Sequence, residues 1–357
     1  MSDGEYNVDP DDDRVHRDSV ADEEELWENH GWLFRGADGD HEFMLWDALY
    51  LLKGAPGGQF AVDEVCFPQT IFVHGEFPPD ERDRMHDNDF TVAGTHFHEY
   101  FSPEAMETEE SDEEVRWRIG DREHVSRPPV WHNTGEQAGV DVDLTFEATG
   151  PAFWADEDLE QINGFEQTAT AEGTIAVDGE TYSPEGFGQH EKFHFVDPDM
   201  LEDSFGRGDW VGGEWWRWHT GFQDDIQVFL TIEPNSESAI GRVLADGEVY
   251  SFGYDDVTFH DVAYWDDPRS GIRIPVEWHV NMQSDRAVVD YTASAYARAY
   301  YLWDYLNTGY NVLYWQMADA EGLFVPDDGP ERELDMSYMG HTKRPFYRFG
   351  RNDRTKQ

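Results

Sequence analysis

Between residues 140 and 150 the chain reads VDVDLTFEATG, with Val140, Val142, Leu144 and Phe146 alternating with Asp141, Asp143, Thr145 and Glu147. Successive side chains of a strand point to opposite faces, so one apolar and one acidic face mark a half-buried antiparallel strand. Shorter runs of the same kind recur at 69–77 (QTIFVHGEF), 90–101 (FTVAGTHFHEYF), 114–120 (EVRWRIG), 226–234 (IQVFLTIEP) and 273–282 (RIPVEWHVNM). Asp178-Gly179 and Asp246-Gly247 are hairpin-turn pairs between such runs. Helical spacing is scarce; MLWDALYLLK (44–53) suits either a short helix or a strand. Many short strands separated by regular turns predict an all-β chain of sandwiches or barrels with few short helices. The segment AFWADEDLEQINGFEQ (152–167) lacks alternation and divides the strand-rich halves. The reading is an acidic mobile arm (1–24), two β domains (25–155 and 156–325) and a tail with a basic end (326–357).

Charge limits what such a chain can bind. Asp and Glu number 77 against 25 Lys and Arg, a formal net charge of −52. A chain this acidic would stay disordered if it were poor in aromatics, but 15% of its residues are aromatic, 14 of them Trp, enough to build a core. The acidic residues are spread along the whole chain, the pattern of a surface adapted to molar salt, where the Debye length falls to about 3 Å and self-repulsion is screened. Nucleic acid is excluded as a partner, because phosphate binding needs a positive stripe. The one basic cluster, Lys343 to Lys356, reads as an arm pairing with the acidic body. Cys66 is the single cysteine, so no intrachain disulfide or cysteine metal site forms. No apolar run is long enough to span a bilayer and the start lacks a signal-peptide pattern, which predicts a cytoplasmic protein.

Four stretches carry a family resemblance. LTFEATGPAFW (144–154), ending in Gly150-Pro151-Ala152-Phe153-Trp154, reads as a closing strand and linker, and Val177-Asp178-Gly179-Glu180-Thr181-Tyr182 as a V-D-G-x-x-Y turn. Gly186-Phe187-Gly188-Gln189-His190 is a glycine-rich stretch ending in His, followed by a Trp-rich strand at Glu214, Trp215, Trp216 and Trp218. The chain thereby resembles the two-domain lipocalin-like family of AttH proteins, hydroxyneurosporene synthase (carotenoid 1,2-hydratase), kievitone hydratase and related fungal cyclisation enzymes. The resemblance implies two consecutive lipocalin-like antiparallel β-barrels or half-barrels with an apolar ligand in or between them. The family's Asp-His-x-Trp-Gly motif is only partly kept: Gln189 stands at its Asp, and Lys192 or Phe193 at its Trp. The family's general acid therefore does not carry over to position 189.

The candidate residues follow from these stretches. His190 and Glu214 are the proton-transfer candidates: an imidazole titrates near neutrality, and a buried carboxyl is pushed up and can act as an acid. Trp216 and Trp218 are candidate pocket walls, since indole faces stabilise a cation, with His194 and His219 as further ligand-binding candidates. Structural readings stand beside these, a polar strand end for His190 and core packing for the indoles. His96 and His98 form an H-x-H pair that could hold a metal in a cupin-like site, although the rest of that pattern is missing. The expectation is a cofactor-free, metal-free hydratase, cyclase or isomerase acting on an isoprenoid-type apolar molecule. A non-catalytic carrier is the alternative, and a cupin-like metal enzyme a further one. The charge pattern itself predicts that the urea midpoint of unfolding rises steeply between about 0.1 M and 3 M KCl; a flat dependence would remove the salt-adaptation reading.

Overall fold

A computed structural model describes residues 8–17, 26–53, 64–78, 86–87, 92–93, 101–154, 163–195, 217–233, 238–268, 273–305 and 309–347. The first strands are β1 (Leu26–Asp38), β2 (His41–Lys53) and β3 (Glu64–Glu76), then the short β4 (His86–Asp87) and β5 (Val92–Ala93). A hairpin series follows: β6 (Met106–Glu110), β7 (Val115–Ile119), β8 (Arg122–Arg127), β9 (Val130–Gln137) and β10 (Val140–Ala148). Next come β11 (Phe153–Trp154), β12 (Asn163–Val177), β13 (Glu180–Tyr182) and β14 (Glu185–Phe195). The later strands begin with β15 (Arg217–Gln223), β16 (Ile226–Glu233), β17 (Ser238–Ala245), β18 (Glu248–Phe252) and β19 (Val257–Asp266). They end with β20 (Arg273–Gln283), β21 (Ala287–Tyr305), β22 (Gly309–Pro326) and β23 (Arg332–Tyr347). Among the described residues the helices are single 3-10 turns, and none is long and apolar enough to cross a membrane.

These strands make two antiparallel sheets, the short β4 alone pairing in parallel with β21. The first runs β5-β3-β2-β1-β14-β12-β10-β9-β8-β7-β6. It is a nearly closed barrel, because Cys66 on β3 exchanges two backbone hydrogen bonds with Phe101, just before β6. The second runs β18-β17-β16-β15-β23-β22-β21-β20-β19 and is a half-barrel. The expected turns form as read: Asp178 and Gly179, and likewise Asp246 and Gly247, take left-handed φ in two-residue hairpins.

The sheets divide later than the sequence division at 150–165. Residues 163–195 return to the first sheet as β12–β14, and the second begins at Arg217. The described parts of the segment 152–167 are β11 and the start of β12, which pair in the first sheet, so the boundary between sheets does not fall there. The tail also differs from expectation. Residues 332–347 are β23, paired between β15 and β22, because Leu334, Met336 and Tyr338 alternate with Glu333, Asp335 and Ser337 and bury their face in the second core. Residues 348–357, with the end of the basic cluster, lie outside the described residues.

Sheet-to-sheet packing explains why 44–53 read ambiguously. In β2, Leu45, Asp47, Leu49 and Leu51 point into the first barrel, while Met44, Trp46, Ala48, Tyr50 and Leu52 join a core shared with Trp218, Phe222, Phe229, Trp315 and Met317 of the second sheet. A strand buried on both faces loses its alternation. Trp46 stacks on Trp315 across this seam, ring centroids 5.2 Å apart.

The acidic arm is the largest departure. Residues 8–17 are ordered against the barrel, and a 3-10 turn at Pro10–Asp13 delivers Asp13 into its interior, fully buried. Trp131 Nε1 donates to Asp13 Oδ2 (2.8 Å) and Trp117 Nε1 to the Asp13 carbonyl (2.7 Å). The physical reason is that two buried indole N–H groups need acceptors. Deleting residues 1–17 strands both donors. We expect a loss of about 2–5 kcal/mol in urea unfolding at constant salt; unchanged stability would show that the arm is not part of the fold.

Candidate functional site

Strand β14 separates two polar sites, one on each face. Its inward face carries His190, Lys192 and His194 and its outward face Gln189, Glu191 and Phe193, as the two-residue period requires.

Inside the barrel, His190 Nε2 lies 3.3 Å from Asp13 Oδ1 and 3.4 Å from His30 Nε2. His30 Nδ1 faces His124 Nδ1 at 3.1 Å, and His124 Nε2 faces Asp47 Oδ2 at 3.1 Å. Asn133 Nδ2 also donates to Asp47, and Arg122 Nε sits 3.2 Å from its other oxygen. At one end Lys192 pairs with Glu28, which also accepts from His16. His194 stacks on His16 with centroids 3.9 Å apart; burial, then the His16 ring, push its pKa down to about 4. Burial pushes the pKa of His30 and of His190 down, offset only in part by Asp13. Burial raises the Asp13 carboxyl, but His190, His30 and the Trp131 N–H outweigh it and hold it below the usual carboxylate range. Both directions give the same state near neutrality: an ionised Asp13 facing neutral imidazoles. Aromatic rings wall the cluster, with Phe165 stacked on His190 and Trp32 edge-on to it.

The second site lies between the sheets. Glu166 on β12 projects outward, fully buried, accepting from Trp218 Nε1 at 3.0 Å and from the Gln189 amide. Gln189 in turn contacts Gln227 (3.2 Å). Burial and the neighbouring Glu191 carboxylate push the Glu166 pKa well up, against the lowering effect of its two hydrogen bonds. Gln227 lines a cleft of about 390 Å3 whose walls include Phe187, Phe222, Ile226 and Leu244, with Glu147 and Asp224 also lining it. Phe187 and Phe222 stack face to face, centroids 5.4 Å apart. This volume is that of a small-molecule site.

The expected site residues are thus distributed, not gathered. His190 points into the first barrel, whereas Trp218, on β15 of the second sheet, packs against the outer face of the first at Glu166. His219 is buried in the second sheet against Trp278 and Tyr338, with neither ring nitrogen partnered among the described residues; burial, then Arg217, keep its pKa well below normal. Glu214 and Trp216, and the pair His96 and His98, lie outside the described residues. Sequence reasoning missed Asp13, His30 and Glu166. Only the register exposes Glu166: it pairs with Glu191 on β14 and shares a face with Gln189, so it stands beside the place where the family motif has its Asp.

No family model and no curated protein matches the chain. Solved structures do. A protein described as AttH from Nitrosomonas europaea superposes with a TM-score of 0.56 at 14% identity, covering 96% of this chain and 98% of that one. CghA, solved with Sch210972, gives 0.56 at 10% identity over 90% of this chain and 89% of that one. The chain has the two-sheet lipocalin-like fold of these proteins. Kievitone hydratase from Nectria haematococca aligns over 95% of this chain and 98% of that one at 10% identity, with a TM-score of 0.46.

Glu166 also predicts a pH dependence. A carboxyl whose folded pKa lies above its unfolded value near 4.5 contributes stability that is full below that value and lost as pH rises through the folded pKa. Wild type should therefore lose stability over that window, and Glu166→Gln should flatten the slope, as read by urea midpoints across pH. Equal slopes in the two proteins would place the Glu166 pKa near normal.

Proposed function

We propose that this protein binds a small apolar, unsaturated molecule at the seam between its sheets and adds water to it or rearranges it by proton transfer from Glu166, with no organic cofactor. The observation that carries the reading is a fully buried carboxyl, its pKa pushed well up by burial and a neighbouring carboxylate, held against an indole near a cleft walled in part by Phe187, Phe222, Ile226 and Leu244. A protonated Glu166 needs an acceptor for its O–H. A half-turn of the Gln189 amide supplies one, and the same half-turn at Gln227 lets Gln189 donate onward. Gln189 then acts as the positioning residue for the acid, which suits its place in the partly kept motif.

In the proposed reaction the ligand's apolar body occupies the cleft and Gln227 swings aside to admit its double bond. Glu166 gives its proton to one alkene carbon, and the cation forming on the other is stabilised by the Trp218 face. Water adds to that carbon and its surplus proton returns to the Glu166 carboxylate, so the acid is regenerated. The hydratase named among the proteins of similar architecture is consistent with this chemistry but carries no weight in it. On the sequence argument, Glu214 and Trp216 remain candidates for the same seam, the chain's charge supports a salt-adapted protein that does not bind nucleic acid, and a cytoplasmic location remains the simplest reading of the sequence.

Carriage without chemistry is the second reading. It is favoured by the cleft wall itself, which includes Gln227 but not Glu166. Mass spectrometry of solvent extracts from the purified protein identifies the bound molecule. With it in hand, Glu166→Gln should cut turnover by about 10²- to 10⁴-fold while leaving ligand binding within a few-fold. Full turnover by the variant would eliminate Glu166 as the acid, and a single unchanged ligand with no turnover in wild type would establish carriage.

A further inference from the structure

We propose that Asp13, His30 and His190 form a binding site for one first-row divalent cation inside the first barrel. Asp13 Oδ1, His30 Nε2 and His190 Nε2 make a triangle with edges of 3.3, 3.4 and 3.5 Å. Ligand atoms about 2.0–2.1 Å from a tetrahedral ion lie about 3.3–3.4 Å from one another. The three atoms already stand at the spacing such an ion imposes, which exceeds an ordinary hydrogen bond. Two imidazoles and one carboxylate suit zinc, iron or cobalt better than magnesium or calcium, which prefer oxygen. Ser126 Oγ, 2.9 Å from His30 Nε2, is a further oxygen donor at the same place.

The surroundings fix the first ligand as metal sites do. Asp47 accepts from His124 Nε2–H, which leaves His124 Nδ1 to accept from His30 Nδ1–H, and His30 Nε2 then presents a lone pair to the triangle and to the Ser126 hydroxyl. Arg122 and Asn133 hold Asp47 in turn. His190 is oriented by rings instead: Phe165 lies flat against it at 5.2 Å, and its Nδ1 has no partner among the described residues.

Charge points the same way. Three carboxylates from Asp13, Glu28 and Asp47 are buried around this interior. Arg122 faces Asp47 and Lys192 faces Glu28. Among the described residues Asp13 faces only imidazoles and an indole N–H, its Oδ1 standing 3.3 Å from His190 Nε2 and 3.5 Å from His30 Nε2. A buried carboxylate without a cation is costly, and a divalent ion removes that cost. This site lies on the opposite face of β14 from Glu166, so the inference is independent of the hydration chemistry.

The test uses the full chain in molar KCl, stripped with chelator, equilibrated separately with Zn2+ and Co2+, desalted and analysed for metal per chain. The expected result is one retained ion, and for Co2+ the intense visible absorption of a low-coordinate site. Asp13→Asn and His190→Gln should each weaken retention at least tenfold, whereas the exposed His132→Asn should not. No retained ion, or retention unchanged in both site variants, overturns the proposal. Should the site variants fail to fold by circular dichroism, the wild-type Co2+ spectrum decides: a weak octahedral spectrum overturns the site and an intense low-coordinate one upholds it.

Discussion

The face-to-face packing of the two sheets is the constraint on which the rest of this molecule depends. It takes the outer face of β1, β2, β3, β12 and β14, which an isolated barrel would leave in water, and seals it under Trp218, Phe229 and Trp315. Each of these strands is then buried twice. A polar side chain on either face must find a protein partner, because water no longer supplies one. The inward face answers with the His30–His124–Asp47 chain and the Lys192–Glu28 pair. The outward face answers with Glu166, Gln189 and Gln227, and with Arg35 bridging to Glu42 and Tyr296 across the seam. The two polar sites are therefore products of one packing decision, separated by the thickness of a single strand.

The same packing sets the chemistry of each site. Glu166 is fully buried and faces another carboxylate, Glu191, so its pKa is pushed well up despite the hydrogen bonds from Trp218 and Gln189. Asp13 sits at similar depth but faces imidazoles and an indole N–H, so the ionised form wins. Burial alone would raise both carboxyls; the sign of the outcome follows from the neighbours.

Much of the architecture was legible in the sequence because a strand with one wet face records its environment in its own pattern. β10 alternates in burial just as Val140 to Phe146 alternate in type, and the Asp-Gly turns specify their hairpins. Legibility failed where environment comes from elsewhere in the chain. β2 has no wet face, so its pattern is mute. Asp13 belongs to a run of three aspartates, and only Trp117 and Trp131, more than a hundred residues away, select it for burial. The position of Glu166 is readable only through its register with Gln189. His190 was visible through a motif, but its partners share no motif with it. A segment rich in acid and poor in apolar residues reads as a mobile arm, and that reading fails where a barrel interior has donors to satisfy.

Strand β23 is the last described strand, yet it lies in the middle of the second sheet, pairing on one side with β15, that sheet's first. The first sheet is complete by Phe195, whereas the second cannot close until some 150 residues more have been synthesised, on the order of ten seconds at ordinary elongation rates. Throughout that interval the nascent barrel presents Trp46, Tyr50 and Ile71 on a bare apolar flank. An unfinished copy of this protein is thus a sticky object. Because the chain carries a formal net charge of −52, half-made copies also repel one another until each one's own C-terminal half covers the flank.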